Sequence, residues 1–131
     1  MALPKIGCKG EESIEEMHHA DWLIERILFL GGLPNAQRLN QVLVGQSVRE
    51  VLEADLKLEA KALEDLRAGI AHCEEVRDYV SRNLLLRILA NEEEHEDLLD
   101  RQFDLIKQIG VERYVQLNSA AAPDQDAAAK D

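Results

Sequence analysis

The chain has 131 residues, and its 15 Lys and Arg against 26 Asp and Glu leave a formal net charge of −11, so one acidic domain is expected. A hydrophobic share of 46% is enough for a core and argues against a wholly disordered chain, while an aromatic share of 4% argues against an all-β fold. No cluster of Lys and Arg offers a nucleic-acid footprint, and no apolar run approaches the roughly 20 residues of a membrane span.

Residues 1 to 10, MALPKIGCKG, contain Pro4, Gly7 and Gly10 and read as an irregular leader, taken here as residues 1–11. They lack the charged-then-apolar pattern of a signal peptide, so a cytoplasmic protein is expected. Cys8 and Cys73 are the two cysteines. One disulfide is possible between them, two free thiols fit a reducing compartment better, and they do not make a zinc site.

The first helix is expected from Ser13, because Ile14, Met17, Ala20, Leu23, Ile27 and Leu30 recur at three- and four-residue steps until Gly31, Gly32 and Pro34 stop it. Residues 31–46 hold turn signals at both ends and no sustained period. A connection this long usually crosses the length of a bundle and leaves successive helices parallel. Ser47 and Glu50 form a capping box that opens the second helix. Its stripe is Val48, Leu52, Leu56, Leu63, Leu66 and Ile70, with an end near Gly69 to His72.

A third helix is expected to start around Glu74 to Val76, forming an antiparallel hairpin with the second. Its stripe of Leu85, Ile88, Leu99, Ile106 and Ile109 runs to Gly110, a good C-terminal stop. Val111 to Leu117 reads as one or two further turns, and residues 118–131 as a flexible tail. Three long helices with a long crossover leave a four-helix bundle one helix short.

The informative residues are polar ones at positions where the helical period calls for apolar ones. In the third helix Leu85, Glu92 and Leu99 are successive heptad positions, as are Ile88, His95 and Gln102, so Glu92 and His95 point into the bundle. A spacing of three places both side chains on one face, about 5 to 6 Å apart at Cβ, close enough to share a metal ion. Glu16 and His19 repeat the spacing in the first helix, and Glu59 stands between Leu52 and Leu66 in the second. Unpartnered, three buried carboxylates would each cost several kcal/mol, a penalty that a pair of divalent cations removes.

Bundles that hold two irons use two Glu-x-x-His motifs and one Glu from each of two other helices. Five of those ligands can be named here: Glu16, His19, Glu59, Glu92 and His95. Oxygen and imidazole donors suit iron or manganese, and zinc also fits. A competing role exists for Glu16, since Ser13-x-x-Glu16 is itself a capping box. Glu93, Glu94, Glu96 and Asp97 read as the solvated flank of the third helix, and His18 and His72 as exposed.

ESIEEMHHADWLIERILFLGGLPN (12–35), DLKLEAKALEDLRAGI (55–70), VRDYVSRNLLLRILANEEEHEDLL (76–99) and DLIKQIGVERYVQ (104–116) resemble the bacterioferritins, in order and over about residues 12–117. The resemblance implies an all-α, ferritin-like four-helix bundle with a long crossover and a short fifth helix, occupying residues 12–117. It also implies self-association into a hollow shell of twenty-four subunits, oxidation of Fe(II) at a di-iron centre in each bundle, and storage of a ferric mineral inside. Glu16, His19, Glu59, Glu92 and His95 fall on the family's ferroxidase ligands. By that pattern Glu16 and Glu92 bridge the metals, His19 and His95 each terminate one, and Glu59 is a terminal carboxylate.

Met17 takes its meaning from the resemblance, because in bacterioferritins a methionine directly after the first bridging glutamate binds the iron of haem b, paired with its copy across a two-fold axis. Family members begin with a long helix that carries a further glutamate ligand, and residues 1–11 do not resemble the family's lead into its second helix. The alternative expectation is therefore a structural or haem-binding subunit that co-assembles with a full-length bacterioferritin. A ferredoxin is the partner implied for iron release.

Overall fold

The computed structural model describes residues 9–35 and 47–119. They form four helices and no strand: α1 (Lys9–Phe29), α2 (Val48–Glu75), α3 (Tyr79–Ile109) and α4 (Val111–Ser119). Residues 1–8 of the expected leader, most of the expected crossover and residues 120–131 of the expected tail lie outside the described residues, as does Cys8. Cys73 is free and buried.

α1 opens at Lys9, four residues ahead of Ser13, and takes in Gly10. A glycine inside a helix costs only about 1 kcal/mol and need not break it. The helix ends where the glycines require. Gly31 has φ +82, the N–H of Gly32 donates to the Ile27 carbonyl at 2.9 Å, and the N–H of Gly31 to that of Leu28 at 3.0 Å. This left-handed closure satisfies the last carbonyls of the helix, and glycine adopts it without a Cβ penalty.

α2 begins at the expected cap, with Ser47 accepting from the Glu50 N–H at 3.2 Å. It continues past Gly69 to Glu75, further than the sequence pattern suggests. Gly69 acts there as a point of close approach, since a Cβ at this position would stand 3.1 Å from Leu85 Cδ1 across the helix pair. The same closure seen after α1 ends α2, with the Asp78 N–H donating to the Cys73 carbonyl at 2.9 Å and the Arg77 N–H to that of Glu74 at 3.2 Å. Arg77 fills the left-handed position at φ 61 in place of a glycine.

Asp78 then caps α3, accepting from the Ser81 N–H at 3.1 Å. That turn delays α3 to Tyr79, a few residues beyond the expected start near Glu74 to Val76. Arg26 of α1 fastens onto the same cap, donating from Nε to Ser81 Oγ at 2.8 Å and from Nη2 to Asp78 Oδ1 at 3.0 Å. These contacts lower the Asp78 carboxyl below its usual range, first through its bonds with Ser81, against an opposing desolvation, and then through Arg26. α3 ends at Gly110, φ +83, and α4 follows at once.

The helix directions follow from which residues meet. Gly69 faces Leu85, and Glu59 lies beside His95, so α2 runs antiparallel to α3. Arg26 meets Asp78 while Glu15 meets His95, so α1 is antiparallel to α3 as well. α1 and α2 are therefore parallel to each other, the arrangement that the length of segment 31–46 implies.

Leu63, Ile88, Ile106 and Tyr114 form the buried apolar core together with Cys73. Tyr114 brings α4 onto the bundle and donates its hydroxyl to Gln102 Oε1 at 2.8 Å, both residues being buried. The stripe expected to bury α1 does not do so among the described residues. Ile14, Met17, Ala20, Ile27 and Leu30 are exposed, and Leu23 is half-buried. Among the described residues α1 packs mainly on α3, and it does so along the line of Glu16, His19 and Arg26, so the polar line is the one that packs.

Candidate metal centre

Three helices deliver the five acidic and imidazole side chains to one place. α1 supplies Glu16 and His19 one turn apart, α3 supplies Glu92 and His95 at the same spacing, and α2 supplies Glu59. One ligand atom from each of Glu16, Glu59, Glu92 and His95 lies within 4.8 Å of all the others. His19 joins them through Nδ1, which stands 3.2 Å from Glu92 Oε1 and 3.9 Å from Glu16 Oε1. Because α1 opens at Lys9, Ser13 lies inside the helix and no longer sits where a capping box would engage Glu16.

Glu92 occupies the centre of the group. Its Oε1 faces His19 Nδ1, and its Oε2 faces His95 Nδ1 at 3.7 Å. Glu16 Oε1 is 3.9 Å from each of the two Nδ1 atoms. Glu59 Oε1 is placed against His95, at 3.8 Å. His19 Nδ1 is buried and makes no hydrogen bond although Glu92 Oε1 stands 3.2 Å away, which leaves an unsatisfied polar atom at the heart of the group. Glu16, Glu59, Glu92 and His95 border a cavity of about 310 Å³, closed further by Asp55, Leu58, Ala62 and Leu99.

Carboxylates gathered this closely cannot all ionise at their ordinary values. Glu16 is pushed up to about 7, first by burial and then by its hydrogen bond to Glu92 and the charge of Glu92, with His95 pulling the other way. Burial also works against the charge on Glu92. Hydrogen bonds from Glu59 and Glu16 and the charges of His95 and His19 together outweigh it, so Glu92 is held below the usual carboxylate range. Without a cation, then, Glu16 keeps its proton up to about pH 7 and shares it toward Glu92. A divalent ion would displace it.

Both histidines are held from behind. His95 Nε2 pairs with Glu15 Oε2 at 2.8 Å, and His19 Nε2 pairs with the Asn91 side-chain amide at 3.0 Å. Trp22 covers the other side of the His19 ring, with ring centroids 5.6 Å apart, and carries the Arg87 guanidinium on its own face at 4.1 Å. Glu15, Asn91 and Asp55 are not singled out by helical period. Their available signal is position: Glu15 and Asn91 each stand directly before the glutamate of a Glu-x-x-His motif, and Asp55 one turn before Glu59.

The remaining candidates lie where a solvated role puts them, or nearly so. Met17 is 64% exposed. His18 and His72 are exposed, with the His18 ring stacked on Trp22 at 6.3 Å. Glu93, Glu94 and Asp97 are exposed and Glu96 is half-buried, Glu93 facing Arg67 at 3.4 Å. No helix among the described residues is long and apolar enough to cross a membrane.

A family profile described as a ferritin-like domain matches residues 10–109. A bacterioferritin of Brucella melitensis biotype 1 is 51% identical over 116 residues, covering 88% of this chain and 72% of that protein. One from Rhodobacter capsulatus is 46% identical over 119 residues, covering 90% of this chain and 74% of its own length. One from Mycobacterium bovis is 47% identical over 103 residues, or 79% of this chain, which spans 65% of that relative. With its matched helices, its fold and the extent of these identities, the chain belongs to the ferritin-like family and, within it, to the bacterioferritins.

Proposed function

We propose that this chain serves iron storage and detoxification, taking up two Fe(II) ions between Glu16, His19, Glu59, Glu92 and His95 and oxidising them for deposition as ferric mineral in a cytoplasmic protein shell. The observation that carries the reading is Glu92, whose two oxygens each face a different histidine Nδ1. A carboxylate so placed bridges two cations, and Glu16, equidistant from both nitrogens, is suited to the second bridge. His19 and His95 then each terminate one metal, and Glu59 completes the shell on the His95 side.

Two Fe(II) substrates held side by side supply two electrons together, reducing dioxygen to hydrogen peroxide, or peroxide to water, with uptake of two protons. The protein's own contribution is to neutralise the cations with carboxylates and to hold both imidazoles by their outer nitrogens. Glu16 also gives up its proton as metal enters. Anaerobic titration of Fe(II) into the pure chain is expected to saturate near two ions per chain, and Glu92→Ala with His95→Ala to abolish that binding. Unchanged stoichiometry in the double variant would reject the centre. The other reading, a catalytically incomplete subunit that co-assembles with a full-length bacterioferritin, requires that the pure chain oxidise no Fe(II), so an aerobic oxidation assay on the pure chain decides between them.

Met17 is assigned to haem iron by the family pattern, paired with its counterpart from a second copy. Its place next to Glu16 turns it about 100° away from the metal ligands, and its exposure leaves the thioether accessible. Met17→Leu is expected to remove haem absorbance from the reconstituted protein, and an unchanged spectrum would reject the assignment. The exposed Ile14, Leu28 and Phe29 on the same helix favour self-association.

A further inference from the structure

α1 and α3 carry the same local motif, a polar residue followed by Glu-x-x-His: Glu15-Glu16-x-x-His19 and Asn91-Glu92-x-x-His95. The helices are antiparallel, and the residue that opens each motif reaches across to the histidine of the other. Glu15 holds His95 at 2.8 Å, and Asn91 holds His19 at 3.0 Å. The backbone arrangement is thus close to two-fold, but the chemistry is not. One histidine is backed by a carboxylate and the other by a neutral amide.

A carboxylate only accepts hydrogen bonds. Glu15 therefore keeps the proton of His95 on Nε2 and leaves Nδ1, which faces Glu16, Glu59 and Glu92, bare for a cation. Asn91 both donates and accepts. With its NH2 toward His19 Nε2, the proton sits on Nδ1, the atom that faces Glu92. With its carbonyl toward Nε2, the proton moves there and Nδ1 is bare. Asn91 favours neither form as Glu15 does, so metal entry at His19 includes a change of tautomer and a half-turn of the amide. Asn91 also lacks the negative charge that makes a carboxylate-backed imidazole a stronger donor.

We infer that the two metal positions are unequal, the one at His95 filling first and the one at His19 binding more weakly, and that Asn91 is a positioning residue that widens the difference, beside Glu59, which serves the His95 side. The inference rests on the metal centre proposed above. Its consequence is an ordered loading of the site, with the second cation held as the more exchangeable one.

Titration of the metal-free chain with Co(II), followed by the visible ligand-field bands and by calorimetry, tests the order without any redox step. Two separable affinities are expected. Asn91→Asp should tighten the weaker step about tenfold and leave the tighter one unmoved, the low end of what such outer partners contribute. Glu15 is half-exposed, and Glu15→Gln should loosen the tighter step by less than that. A purely structural disturbance would shift both steps together. Nitrogen-15 NMR of the metal-free Asn91→Asp chain should show the His19 proton moved to Nε2. Two equal steps in the unaltered chain, or an Asn91→Asp isotherm superimposable on it, would overturn the inference while leaving the centre intact. Absence of any Co(II) binding would overturn both.

Discussion

Saturating both positions of the metal-free chain with Co(II) or Zn(II) at pH 7.5 is expected to raise its melting temperature by about 20 °C, an effect that a chelator reverses. A cation at about 100 times its dissociation constant adds about 3 kcal/mol per site, and a domain of this size gains about 4 °C per kcal/mol. The gain depends on pH through Glu16. Its carboxyl titrates near 7 in the folded chain, against an ordinary value of 4.5.

Between those values the folded chain holds a proton that the unfolded chain has released. The Glu16 contribution to stability is therefore full below about pH 4.5 and is lost as pH rises through 7. Glu16 is itself half-exposed, so water screens part of the effect and its direction carries the prediction. The metal-free protein should be less stable at pH 7.5 than at pH 5 as far as this group is concerned. The cation should stabilise it more at pH 7.5, because at pH 5 it must first displace the proton. Glu16→Gln should flatten the metal-free pH dependence between pH 5 and 7.5. Calorimetric scans at the two pH values, with and without cation, measure this, and an equal cation effect at both would exclude Glu16 as the displaced proton's site.

The parts of this molecule that could be read from its residues are those governed by local rules. Ser47 caps α2 and Gly110 closes α3 because a cap depends on a few neighbouring backbone groups. The meeting of Glu16, His19, Glu59, Glu92 and His95 was legible for a similar reason. A three-residue spacing puts two side chains on one face, and the heptad identifies which face is turned inward. Their ligand roles go beyond that placement and rest on the proposal.

What escaped depends on partners distant in sequence. Gly69 stands inside α2 rather than at its end, as a glycine that leaves room for Leu85 of α3. Glu15 and Asn91 acquire their roles only when α1 and α3 are set antiparallel at a given register, since each serves the histidine of the other helix. On α1 the helical period marked Ile14, Met17, Ala20, Ile27 and Leu30 as the buried side, but it cannot say which neighbour a helix meets. Among the described residues that neighbour is α3, and the attachment runs through Glu16, His19 and Arg26.

That attachment leaves a thin apolar core, and Leu63→Ala is expected to cost about 3 kcal/mol, within the range of 2 to 5 found for emptied leucine sites. Leu63 is 1% exposed and stands one turn after Glu59 on α2. Few other residues are comparably buried, so neighbouring side chains have little material with which to fill the cavity. A loss of this size is a large fraction of the roughly 5 to 15 kcal/mol that holds a domain folded. Leu58→Ala, on the same helix but 45% exposed, should cost well under 1 kcal/mol.

The two effects on α2 also meet in one cooperative unit. A cation bound at Glu59 and its partners would stabilise the same helix that Leu63 anchors, so saturating Co(II) at both positions should restore to Leu63→Ala more than the about 3 kcal/mol that the substitution removes. Urea unfolding followed by circular dichroism, with and without Co(II), reads both quantities. If Co(II) binds the variant yet leaves its unfolding midpoint unmoved, the centre and the core open independently, and α2 is not the element that joins them.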